Sequence, residues 1–125
     1  MNTIVAIALG GAFGAVLRYL SGVWAFKIFG DGFPFGTLGV NIIGSFVMGV
    51  LVAMFAQYWS PSAEMRAFLM TGLLGAFTTF STFSLDVSGL YERGDLMMAG
   101  VYISVSVVGA VMALFLGLFL VRSFS

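Results

Sequence analysis

Gly75-Ala76-Phe77-Thr78-Thr79-Phe80-Ser81-Thr82-Phe83-Ser84 packs five hydroxyls and two phenyl rings into the seven residues from Thr78 onward, inside an otherwise apolar stretch. Polar side chains cost free energy in hydrocarbon and turn toward a bundle interior, a water-filled cavity or a partner helix, so such a run marks a route for a polar species. None of its side chains titrates, which argues against a proton relay at this place.

The surroundings of that run read as membrane. The chain is 61% hydrophobic and 8% charged, where soluble domains carry about 25% charged residues. A span takes about 20 apolar residues, so 125 residues hold four short-looped helices and no separate catalytic domain. Charge, glycine and proline divide the chain into apolar stretches over 4–29, 37–58, 63–91 and 96–121, with turns at Asp31-Gly32-Phe33-Pro34, Ser60-Pro61-Ser62 and Glu92-Arg93-Gly94-Asp95. The predicted fold is an all-α membrane protein, one four-helix transmembrane domain spanning 1–125. Met1-Asn2-Thr3-Ile4 lacks a basic region, and no small-residue cleavage site follows, so the first stretch reads as a retained span rather than a signal peptide. Trp24, Tyr58 and Trp59 fall near span ends, where amphipathic rings anchor to the interface.

Function classes fall away on composition. Five Lys or Arg balance five Asp or Glu, so no basic surplus points to nucleic acid. With neither Cys nor His, the chain has no thiolate nucleophile, disulfide, Fe–S ligand or imidazole shuttle. It carries no phosphate-binding Gly-Lys motif for nucleotide hydrolysis. These absences and the lack of room for a catalytic domain predict that the protein is not an enzyme.

Orientation is undecided by charge. Arg66 and Arg122 flank one side and Lys27 and Arg93 the other, two against two once Arg18 is set aside as intramembrane. Either insertion is settled by other factors, or both orientations are made and pair as an antiparallel, dual-topology homodimer. Four helices alone pack around side chains, whereas an interface between two subunits encloses a path.

Within the spans, polar groups recur at helical spacing. Gly10, Gly14, Arg18 and Gly22 lie four apart on one face, where small residues admit another helix closely. Arg18 either snorkels to the interface or lines a polar vestibule. Thr37, Asn41 and Ser45 repeat the spacing in the second span, with Asn41 as interhelical glue or as a donor to an anion. In the third span, advancing 100° per residue puts Phe83 about 60° from Phe80, with Thr79, Thr82 and Asp86 to one side and Ser81, Ser84 and Ser88 to the other. A phenyl ring has a positive edge, so two rings between hydroxyl stripes suit a small anion. Gly72 and Gly75 followed by crowded residues predict a break in this helix over 75–79, and carbonyls freed there suit a cation such as Na+.

These stretches also carry a family resemblance. Gly10-Gly11-Ala12-Phe13-Gly14-Ala15-Val16-Leu17-Arg18-Tyr19, Gly36-Thr37-Leu38-Gly39-Val40-Asn41 and the Gly75–Ser84 run resemble the signature stretches of the Fluc (CrcB) fluoride channels. The resemblance implies an antiparallel homodimer in the bacterial inner membrane, with two fluoride pores and a structural Na+ on the two-fold axis. It implies that Phe80, Phe83, Asn41, Ser81, Thr82, Ser84, Tyr102 and Ser106 line each pore. Arg18 would be a vestibule cation, and the carbonyls of Gly75 and Thr78 from each subunit would hold the Na+. The chain departs from the family pattern at Asp86, where a glutamate is expected, and at Ala110 and Leu114, which replace hydroxyls on the face of Tyr102 and Ser106.

Two other classes share the size. A small multidrug exporter needs a titratable carboxylate in its first helix, and here no acid precedes Asp31. A non-transporting assembly protein would use every polar group as glue between helices.

Overall fold

The computed structural model describes residues 2–124. Among them the elements are α1 (Thr3–Phe29), α2 (Phe35–Gln57), α3 (Ala63–Arg66), a π-helical stretch (Ala67–Leu74), α4 (Gly75–Phe77), α5 (Ser81–Glu92) and α6 (Leu96–Ser123). Residues Ala63–Glu92 together with α1, α2 and α6 form four stretches long and apolar enough to cross a membrane.

Local chemistry sets the ends. The Asn2 side chain accepts from the Val5 amide at 2.8 Å and starts α1, and the Ser62 hydroxyl accepts from the Met65 amide at 3.1 Å and starts α3. Gly30 closes α1 with φ 76°, and Gly94 turns the chain before α6 with φ 84°, a left-handed region costly to other residues. Helix α2 begins at Phe35, earlier than the glycine at 36 implies, because Pro34 stands just before the first turn, where a missing N–H costs nothing.

Backbone-close glycine contacts pair the helices. A Cβ added at Gly10 would run into the carbonyl oxygen of Phe68, one at Gly14 into that of Leu73, and one at Gly72 would meet the Ile7 carbonyl oxygen at 2.7 Å. Helix α1 and the π-helical stretch therefore lock together reciprocally. In the same way a Cβ at Gly49 would hit the Leu114 carbonyl and one at Gly117 the Phe46 carbonyl, which joins α2 to α6. Gly22 belongs to a different contact from its neighbours on the α1 face. Gly36 at the start of α2 approaches it, since a Cβ added at Gly36 would sit 3.2 Å from the Gly22 Cα, while one added at Gly22 would meet nothing within 4 Å.

Most large apolar side chains face outward, including Phe13, Val16 and Leu20 on α1 and Val108, Met112, Phe115 and Phe119 on α6. Lipid tails are as apolar as these residues, so close packing between small residues, not burial, holds such helices together. The principal buried cluster is Phe83, Leu90, Ala99 and Tyr102, with Phe33, Leu38 and Val87 packed on it.

Candidate functional site

The site grows from the backbone between α4 and α5. Thr78 leaves the helix in extended conformation, with φ −85° and ψ 158°. The Asn41 side chain, reaching across from α2, then does for Thr79 what a helix would have done. Its Nδ2 donates to the Thr79 carbonyl at 3.0 Å, and its Oδ1 accepts from the Thr79 amide at 2.8 Å. Asn41 is thus the partner of an interrupted backbone, with one N–H left to donate elsewhere.

Carbonyls are released from the helical ladder as a result, those of Gly75 and Thr78 among them. In a continuous helix the Thr79 amide would donate to Gly75 and the Thr82 amide to Thr78. Here the Thr79 amide goes to Asn41, and the Thr82 amide goes to the Thr79 hydroxyl at 3.1 Å. Thr79 thereby caps α5, a role that its place in the sequence run alone does not announce.

The hydroxyls divide into spent and available donors. Thr78 Oγ1 donates to the Leu74 carbonyl at 2.9 Å, and Ser84 Oγ donates to the Phe80 carbonyl at 3.0 Å. Their protons face their own helices. Thr82 Oγ1 accepts from Arg18 Nη1 at 3.4 Å and keeps its proton for another acceptor, while Ser81 is exposed and lies 3.4 Å from the Thr79 hydroxyl. Arg18 is half-buried against this site rather than extended away from it.

The rings are unequal. Phe80 is 77% exposed and Phe83 8%, with ring centroids 5.4 Å apart and planes at 41°. Phe83 packs in turn on Tyr102 at 5.1 Å, and Tyr102 meets Phe33 edge to face at 5.4 Å. The buried Tyr102 hydroxyl donates to Asp86 Oδ2 at 3.1 Å, with Thr37 beside the same hydroxyl. On the next turn of α6, Ser106 is buried, and its hydroxyl has no partner among the described residues.

The candidates quoted from the sequence therefore gather in one region of α5 and its neighbours: Phe80, Phe83 and Thr82 with Arg18, Asn41 with Thr79, and Tyr102 with Asp86. Thr37, Thr79 and Phe33 are partners that sequence reading did not assign. For Thr79 the signal was an Asn on the neighbouring span, which needs backbone partners in hydrocarbon. For Phe33 no local pattern pointed inward, since it sits in a turn.

Known proteins place the chain. The model of the family described as CrcB-like protein, Camphor Resistance (CrcB), matches residues 5–118. Proteins named fluoride-specific ion channel FluC are similar over 98% of both chains: one from Agrobacterium fabrum is 52% identical and one from Rhodospirillum centenum 50%. Another of that name from Rhizobium etli is 48% identical over the same share. Four spanning helices and channel relatives of the same length describe a multi-pass membrane protein of a channel family, not an enzyme. With near-complete coverage by both the family and its relatives, the chain belongs to the CrcB family.

Proposed function

We propose that this chain is the subunit of a fluoride-selective channel that passively exports cytoplasmic fluoride through two pores in an antiparallel homodimer of the bacterial inner membrane. The observation that carries the proposal is the Phe80–Phe83 pair. One ring is buried on Tyr102 and the other stands open at the subunit surface, among hydroxyls with protons to give. A second subunit covering Phe80 would turn that surface into a walled path. Relatives at 48–52% identity bear the name of fluoride channels, which supports the same reading.

Ring edges and hydroxyl protons replace water around the small anion as it crosses. Thr82, Ser81 and the free N–H of Asn41 supply donors near the rings, and the Tyr102 and Ser106 hydroxyls continue a polar track along α6. The unpartnered Ser106 hydroxyl is a donor held in reserve for such an ion. Asp86 is the only acid set well inside a span. With no phosphate-binding motif, the process is electrodiffusion. Fluoride that entered as HF and dissociated in the cytoplasm leaves down its gradient.

A structural Na+ would sit on the dimer axis, held by the Gly75 and Thr78 carbonyls of each subunit. These are two of the carbonyls released from the helix, and hard oxygen donors suit that ion. Its contribution would be to fix the two interrupted helices against one another.

Liposome reconstitution tests the function. Purified protein should release trapped fluoride, exclude chloride and need no proton gradient. Release coupled to protons would favour an exporter, and silence a non-transporting assembly protein.

A further inference from the structure

Two cavities open side by side at the α1–α2 end of the subunit. The first, of about 690 Å³, is lined by Arg18, Lys27, Tyr19, Thr37 and Thr82 among others, and has no acid in its wall. The second, of about 590 Å³, is lined by Asp31, Asp86, Glu92 and Arg93. Arg93 donates to the Gly32 carbonyl at 3.2 Å, which draws its charge to the turn. Gly22, Phe26, Gly36 and Thr37 border both cavities. An anion approaching this end thus meets a mouth with two cations next to one with three acids and a single cation.

We infer that Lys27 is a second collecting charge for the permeating anion, acting with Arg18 to make the first cavity the fluoride mouth and leaving the acidic cavity out of the path. Clefts lined by one sign of charge and walled by low-dielectric material concentrate the opposite ion. Lys27 stands in the last turn of α1, at the outer rim, and Arg18 lies deeper, with its guanidinium on Thr82. An ion drawn in by Lys27 passes to Arg18 and is handed to the hydroxyl beside Phe83. The inference rests on the fluoride-channel reading. It adds a residue whose charge, rather than its packing, sets the rate.

The absence of cysteine makes the test direct, because Lys27→Cys introduces a lone thiol. Efflux is measured from liposomes at low fluoride and low ionic strength, where approach to the mouth limits the rate. Lys27→Cys should lower efflux by about tenfold. A cationic methanethiosulfonate on that thiol should restore it, an anionic one should lower it further, and Lys27→Arg should match the unaltered protein. In about 1 M inert salt, where charges are screened beyond about 3 Å, the differences should vanish. Asp31→Asn, a charge change of equal size and opposite sense in the other cavity's wall, should leave efflux unchanged. Equal effects of the two adducts, wild-type efflux in Lys27→Cys, or an Asp31→Asn effect as large as that at Lys27 would each overturn the inference while the channel reading stands. Unaltered protein that passes no fluoride sinks both.

Discussion

Asn41 and Thr79, on different spans, are joined by two antiparallel hydrogen bonds: side-chain nitrogen to carbonyl at 3.0 Å and amide to side-chain oxygen at 2.8 Å. One carboxamide thus stands in for a missing piece of helix. Without it, an amide and a carbonyl would face hydrocarbon unpaired. Asn41→Ala should therefore cost about 2 to 6 kcal/mol, the sum of two buried groups left unsatisfied. Thermal unfolding in detergent measures this, and a variant that melts with the unaltered protein would show that the clamp is dispensable.

The two rings should separate stability from flux. Phe83→Ile removes a contact with Tyr102 and should lower stability by about 1 kcal/mol, whereas the exposed Phe80 can be replaced by Ile with little change in the isolated subunit's fold. Both should slow fluoride efflux by about tenfold, equivalent to about 1.4 kcal/mol in the barrier. Efflux unchanged in either variant would remove that ring from the path.

Glycines of equal helical rank should respond oppositely to alanine. At Gly14 the new Cβ meets the Leu73 carbonyl, a backbone atom that cannot swing away, and the expected loss is about 1–3 kcal/mol. At Gly100 nothing lies within 4 Å, and alanine should stabilise the helix by about 0.5–1 kcal/mol. Paired melting curves decide it, and equal shifts would contradict the packing described for α1.

Tyr102→Phe leaves the Asp86 carboxylate without its donor and should destabilise by about 1–3 kcal/mol, while Asp86→Asn keeps an acceptor for the phenol and should cost less. The order of the two melting temperatures is the readout. A reversed order would mean that the Asp86 carboxylate has another donor as good as the phenol.

Much of this was legible in the sequence. The four spans follow from apolar length and punctuation, and the close approach at Gly10 and Gly14 from four-residue spacing. The hydroxyl run marked where polar chemistry gathers. What spacing does not carry is which partner each hydroxyl chooses: Thr78 and Ser84 turn back to their own helices, while Thr82 meets Arg18. Gly22 reads as a continuation of the α1 stripe, yet it lies opposite Gly36, because the helix drifts past its partner and meets the next chain segment instead. Phe33 was hidden for a related reason. Turn residues have no periodicity to say which way they face.

The π-helical stretch at Ala67–Leu74 has a consequence for how this gene can vary. Its wide turns hold one more residue per hydrogen bond than an ordinary helix. A codon lost there and not taken up by tightening of those turns would rotate everything downstream by about 100°, carrying Thr79 away from Asn41 and Phe83 away from Tyr102. The loops after Gln57 and Glu92 can absorb insertions, but between Ala67 and the hydroxyl run the count of residues itself decides which side chains meet.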